Sequence, residues 1–172
     1  LIMIGSGGHA SVLEEIMKLK EMNLLGSTNK NSIVNDLNHI EILGEDSIIF
    51  TYKEHEISLV NGIGPSTKNN TRRDISEKFF RLGYKFQTLI HPSAIVASNV
   101  IIEEGAQVMA GAVIQPGVKI GKHSVINTNA SIDHGCEIGN FVHIAPSTTL
   151  CGGITICDNS YIGAGSTVIN NI

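Results

Sequence analysis

From Ile90 to Val168 an aliphatic residue returns at every sixth position without a break: Ile90, Val96, Ile102, Val108, Ile114, Ile120, Ile126, Ile132, Ile138, Ile144, Leu150, Ile156, Ile162 and Val168. Four residues after each of these, up to Ser166, stands a small or β-branched residue, as in Ala94, Ala106, Ala112, Ala130, Cys136, Thr148 and Ser160. An amphipathic helix repeats at 3.6 residues and a strand at 2, so this period belongs to neither. It describes a chain that turns a corner every six residues, with two positions of each six facing inward. Short strands joined by tight turns, several of them at Gly105, Gly111, Gly117 and Asn129, then stack into a parallel β-solenoid with an aliphatic interior.

The first half carries no such repeat. Leu1 to Ile4 reads as a strand, Gly5-Ser6-Gly7-Gly8-His9-Ala10 as a tight turn, and Ser11 to Lys20 as a helix with Val12, Leu13, Ile16, Met17 and Leu19 available for packing. A second unit follows: a strand at Ile57 to Val60, a turn at Asn61-Gly62-Ile63-Gly64-Pro65, and a helix from Thr71 to Leu82. Alternating units of this kind imply a small parallel sheet. Asn29 to Leu43 is polar and poorly periodic, which makes its strand the least defined. The reading is of two domains, an α/β unit over residues 1–87 and a solenoid over residues 88–172.

Gly5-x-Gly7-x-x-Ala10 fits the glycine fingerprint of dinucleotide-binding turns, yet no acidic residue ends a second strand about 20 residues on. Half a site remains. Glycines let a diphosphate approach the backbone, and a helix start offers it free amides and a positive dipole, so a single nucleotide such as UDP suits the turn. The plainer alternative is a strand-to-helix turn that needs glycine for its geometry alone.

A net charge of −4 with 12 lysines and arginines leaves no footprint for nucleic acid. No apolar run reaches the ~18 residues of a membrane span, and no signal peptide is evident, so a cytoplasmic protein is expected. Cys136, Cys151 and Cys157 form no C-x-x-C pair and read as reduced thiols.

A Gly-Ser-Gly-Gly-His-Ala turn in a βα unit, followed directly by the hexapeptide array, resembles the sugar O- and N-acyltransferases of the sialic-acid and bacillosamine pathways. That resemblance implies a left-handed parallel β-helix in which three hexapeptides make one coil of eighteen residues. It implies acetyl-coenzyme A as co-substrate, a homotrimer, no metal, and further coils beyond Ile172. The nucleotide sugar would lie on Gly7, Gly8 and His9, with Asn35 and Asp36 matching the segment that meets base and ribose, and Gly62 and Gly64 beside the sugar. A UDP-linked amino sugar is favoured, with a hydroxyl of a nonulosonic acid as the alternative acceptor.

In the array, Ser131-Ile132-Asp133-His134-Gly135-Cys136-Glu137 matches the family's catalytic segment, so the resemblance makes His134 the general base. Imidazole, with an unperturbed pKa of ~6.5, suits that role. Where many members carry an acidic residue after the histidine, this chain has Gly135, leaving Asp133 or Glu137 to orient the ring. His143 matches a histidine beside the acetyl group, Gly152 lies one coil above His134 as an oxyanion donor, and Ala164 sits in a small-residue segment that would admit the pantetheine arm. Two other classes share features with this chain: a zinc hydratase on the same coil, which needs three histidines around a metal, and a binding module without chemistry.

Overall fold

The computed structural model describes residues 1–29 and 40–170. The chain divides into two compact units, Leu1–Gln87 and a second beginning at Thr88.

The first unit is a five-stranded parallel sheet. β1 (Ile2–Ile4) leads to α1 (Gly8–Leu19), β2 (Gly26–Thr28) and β3 (Ile42–Gly44), then through a 3-10 turn at Asp46–Thr51 to β4 (Ser58–Asn61), α2 (Thr71–Arg81) and β5 (Lys85–Phe86). The spatial order is β3-β2-β1-β4-β5. β1 is fully buried, as a central parallel strand covered on both faces should be. Ile2 and Ile4 join a cluster with Ile49, Leu59, Phe79 and Phe86, and Tyr84 closes it by donating its hydroxyl to Tyr52 O at 2.9 Å.

The helices begin and end within a few residues of their sequence assignments, but β2 has no sequence signal. Gly-Ser-Thr alternates nothing apolar, and it is a strand because of what lies beside it. A Cβ at Gly26 would stand 2.6 Å from Leu43 Cγ and 2.7 Å from Glu41 O, so the bare backbone is what lets β3 come alongside.

The second unit is a three-sided coil of two-residue strands. One face stacks Ile95–Val96, Val113–Ile114, Ser131–Ile132, Thr149–Leu150 and Thr167–Val168. The next stacks Ile101–Ile102, Lys119–Ile120, Glu137–Ile138 and Thr155–Ile156. The third stacks Leu89–Ile90, Gln107–Val108, Val125–Ile126, His143–Ile144 and Tyr161–Ile162. Every pairing is parallel and in register at eighteen residues, as in Ile114↔Ile132 and Ile120↔Ile138. Both inward series of the sequence meet in one core that includes Ala106, Ile114, Ala130, Ile132, Cys136 and Ile144. The corners are equally regular. From residue 105 to residue 165 each sixth residue has positive φ, whether Gly (Gly105, Gly117, Gly135, Gly153) or not (His123, Asn129, Phe141).

Candidate active site

β1 and β4 are neighbours, and the sheet continues to β2 on one side and to β5 on the other. The crevice at their carboxyl ends is therefore the topological switch point, where ligands of open α/β sheets bind. Two glycine turns border it. After β1, Gly5 takes φ +89° and donates its N–H to Thr28 O at 3.0 Å. Gly7 is the N-cap of α1, and among the described residues nothing stands within 4 Å of a Cβ placed on Gly7 or Gly8. After β4, a Cβ at Gly62 would meet Met3 Sδ at 2.8 Å and Ala10 Cβ at 3.0 Å; at Gly64 it would touch His9 Cβ at 3.4 Å. Gly7, Gly8, His9, Gly62 and Gly64 thus gather at one crevice. Asn35 and Asp36 lie outside the described residues.

In the coil, the chain passes from Ser131–Ile132 to Glu137–Ile138 through an exposed corner at Asp133-His134-Gly135. Ile132 and Cys136 on either side are fully buried, which leaves His134 projecting from the edge. Gly135 has φ +66°. Its position is the left-handed one that recurs at each corner, which accounts for a glycine directly after the histidine.

Gly152 stands one coil on from His134. A Cβ built there would lie 2.7 Å from both Cε1 and Nε2 of the His134 ring. The imidazole therefore occupies the space that a side chain at 152 would take. Among the described residues the Gly152 N–H has no acceptor, while the adjacent Gly153 N–H bonds back to the coil below.

Neither neighbouring carboxylate is paired with that ring. Asp133 Oδ1 accepts the backbone N–H of His134 itself at 2.7 Å. Glu137 Oε1 bonds Lys119 Nζ at 2.9 Å, in a pair whose side chains are both more than half exposed, and such pairs contribute little.

His143 belongs to the third face, in register with Val125 and Tyr161 and outside the aliphatic core. Facing out of the coil does not leave it exposed: it is only 6% accessible, with Nε2 3.1 Å from Asn127 Nδ2 and its ring edge-on to Tyr161. Ala164 is exposed at the edge between the third face and the first. His134 stands on the edge between the first and second faces, opposite the third, so one chain does not bring His134 and His143 together.

Residues 99–134 and 135–170 match the model for bacterial transferase hexapeptide (six repeats), and residues 1–79 match that for the PglD N-terminal domain. A solved structure of a histidine-to-alanine variant of GDP-perosamine N-acetyltransferase from Caulobacter crescentus, in complex with CoA and GDP-perosamine, superposes with a TM-score of 0.81 at 27% identity, covering 97% of this chain and 87% of that one.

The first half of the chain belongs to the PglD N-terminal domain family and the second half to the bacterial transferase hexapeptide family.

Its coil is accordingly the left-handed parallel β-helix of that family. The acetyltransferase domain of PglB from Neisseria gonorrhoeae FA1090, solved in complex with acetyl coenzyme A, superposes with a TM-score of 0.74 at 27% identity over 99% of this chain and 95% of that one. Among curated proteins, GDP-perosamine N-acetyltransferase of Escherichia coli O157:H7 is 31% identical over 97 residues, 56% of this chain and 44% of that relative. The matched stretch thus spans less than half of that relative's length. Among the described residues of the chain, no group of three or more His, Cys, Asp or Glu is placed to hold a metal ion, and no helix is long and apolar enough to cross a membrane.

Asn61 and Arg72, which hold the second glycine turn from below, carry no motif and escape a reading by pattern. The available signal was an arginine in the first turn of a helix, where the dipole disfavours a cation.

Proposed function

We propose that this chain is an acetyl-coenzyme A-dependent N-acetyltransferase acting on the amino group of a nucleotide-linked sugar. The observation that carries the reading is the pairing of His134 with Gly152: an exposed imidazole seated on a glycine whose own N–H has no acceptor among the described residues. The sugar amine attacks the thioester carbonyl carbon while the imidazole takes a proton from the amine. Charge develops on the carbonyl oxygen, and the Gly152 N–H donates to it. The intermediate collapses with cleavage of the C–S bond, and the imidazolium returns its proton to the departing thiolate. A positioned base contributes ~10²–10⁴-fold and one oxyanion donor ~10²–10³-fold, enough together to account for an acyl transfer without a metal. Asp133, bonded to the His134 main chain, steadies the corner that carries the base, and Glu137 shapes the adjoining face.

The acceptor is held at the switch point. The amides of Gly7 and Gly8 at the start of α1 suit a diphosphate, His9 and the Gly62–Gly64 turn flank it, and Asn35 and Asp36 serve base and ribose. The two GDP-perosamine N-acetyltransferases named above support amine over hydroxyl, and one of them holds GDP-perosamine. A UDP-linked and a GDP-linked amino sugar are therefore the two acceptors to set against each other. Coenzyme A is lined by Gly152 with His143 and Ala164. Because His143 lies on the face opposite the His134 edge, a second copy completes each site, as in a homotrimer. A soluble coenzyme A donor suits a reaction in the cytoplasm.

The test is release of free thiol from acetyl-coenzyme A in the presence of UDP- or GDP-linked amino sugars, with His134→Ala as control. Release with one sugar that disappears in His134→Ala supports the reading. Sugar-dependent release that survives in His134→Ala removes the base, and silence with every sugar makes the chain a binding module.

A further inference from the structure

The switch-point crevice is held from beneath by a polar cluster that no step of the acetyl transfer uses. Arg72, in the first turn of α2 and only 8% exposed, donates through Nη1 to two carbonyls of the turn after β4, Asn61 O at 2.9 Å and Ile63 O at 2.7 Å. Asn61, 2% exposed, completes the circuit. Its Nδ2 donates to Arg72 O at 2.9 Å and to Ser76 Oγ at 2.8 Å, and its Oδ1 accepts the Ile63 N–H at 3.0 Å.

Two local rules oppose this arrangement. A cation in the first turn of a helix works against the helix dipole. Taking a guanidinium out of water is costly, and burial pushes Arg72 down to about 9, which still leaves it charged at neutral pH. Departures from local preference are expected where function requires them.

What the cluster secures is the direction of the peptide groups. Asn61 O and Ile63 O are turned down onto Arg72, the Ile63 N–H is taken by Asn61, and the Gly62 N–H donates to Ile4 O at 2.8 Å. The Gly64 N–H, beside His9, is without an acceptor among the described residues. Two carbonyls of the turn are thus engaged by a cation, and the turn meets the start of α1 where Gly64 lies against His9.

We propose that Arg72 is the positioning residue of the acceptor crevice: by holding Asn61 O and Ile63 O it keeps the Asn61–Gly64 turn in the one arrangement that receives the diphosphate of a nucleotide-linked substrate. The inference rests on the reading of the crevice as the nucleotide-sugar site.

It is tested on the full chain by calorimetric titration with UDP and GDP, and separately with coenzyme A, for the unaltered protein, Arg72→Met, Arg72→Lys and Ser76→Ala, each with a thermal melt. Hydrogen bonds to a charged group are worth enough that Arg72→Met should lose about 10- to 100-fold in diphosphate affinity. Arg72→Lys should recover part of that, Ser76→Ala should lose roughly two- to fivefold, and coenzyme A affinity should be unchanged in all three. In turnover, the sugar KM rises while kcat holds. A folded Arg72→Met that binds the diphosphate as the unaltered protein does, or that loses coenzyme A affinity equally, overturns the inference. Should Arg72→Met not fold, unchanged diphosphate affinity in both Arg72→Lys and Ser76→Ala overturns it in the same way. If the unaltered protein binds neither diphosphate, the acceptor reading itself falls and takes this inference with it.

Discussion

Gly153 donates its N–H to the carbonyl of His134 at 2.9 Å, so the histidine's main chain is tied to the next coil while its ring rests against the bare face of Gly152. The two adjacent glycines therefore do separable work. Gly152→Ala places a Cβ inside the space of the ring and should lower the rate of thiol release about 10²-fold, the scale of a misplaced catalytic group, with little change in melting. Gly153 has φ +72°. Gly153→Ala should cost about 1–2 kcal/mol of stability while keeping most of the rate. Parallel melting curves and turnover numbers for the two variants check this; equal losses of rate in both would remove the seating argument.

Asp133 and Glu137 should prove secondary to the chemistry. Asp133→Asn keeps an oxygen for the His134 N–H, and Glu137→Gln only weakens an exposed pair with Lys119. Exposed pairs are worth ~0.2–1 kcal/mol, so each variant should stay within about fivefold of the unaltered kcat. A loss approaching that of His134→Ala in either would show that the carboxylate swings onto the imidazole during turnover.

If each catalytic site draws on two copies of the chain, two inactive proteins should rescue one another. His134→Ala lacks the base, and Ala164→Trp would block the edge between the third face and the first against coenzyme. Unfolded together and refolded as a mixture, they should recover thiol release that neither shows alone. A mixture as silent as its parts would mean that a single chain supplies the whole site.

The three cysteines should react in the order of their exposure. Cys157 is exposed, Cys151 intermediate and Cys136 buried. Burial raises the Cys136 thiol above its ordinary value, and its Sγ donates to Cys151 O at 3.2 Å. Since thiolate is the reacting species, a disulfide reagent at neutral pH should titrate Cys157 first and leave Cys136 silent until denaturant is added. Early modification of Cys136, read by peptide mass mapping, would contradict the packed coil.

The coil was legible because its signal is a period, and a period of six with inward positions two and four residues apart leaves few alternatives. Once eighteen residues make a turn, the neighbourhood of His134 and Gly152 follows from subtraction. β2 was not legible, because Gly26-Ser27-Thr28 is a strand by virtue of Leu43 and Met3 beside it rather than by its own pattern. The burial of His143 was equally hidden: alternation tells which way a side chain leaves the strand and says nothing of Asn127 and Tyr161 closing around it. The Arg72–Asn61 cluster joins residues eleven apart in sequence through main-chain carbonyls, which leave no trace in side-chain spacing.

Strands that pair only with those eighteen residues before and after make length a quantised variable in this molecule. A single residue gained within a strand would turn its aliphatic side chain outward and expose the core beside it. Eighteen residues gained or lost together would leave every other pairing as it was. The solenoid can thus change size in whole coils during its history, and the histidine at its edge keeps the same glycine for a neighbour wherever the change falls outside residues 134–152.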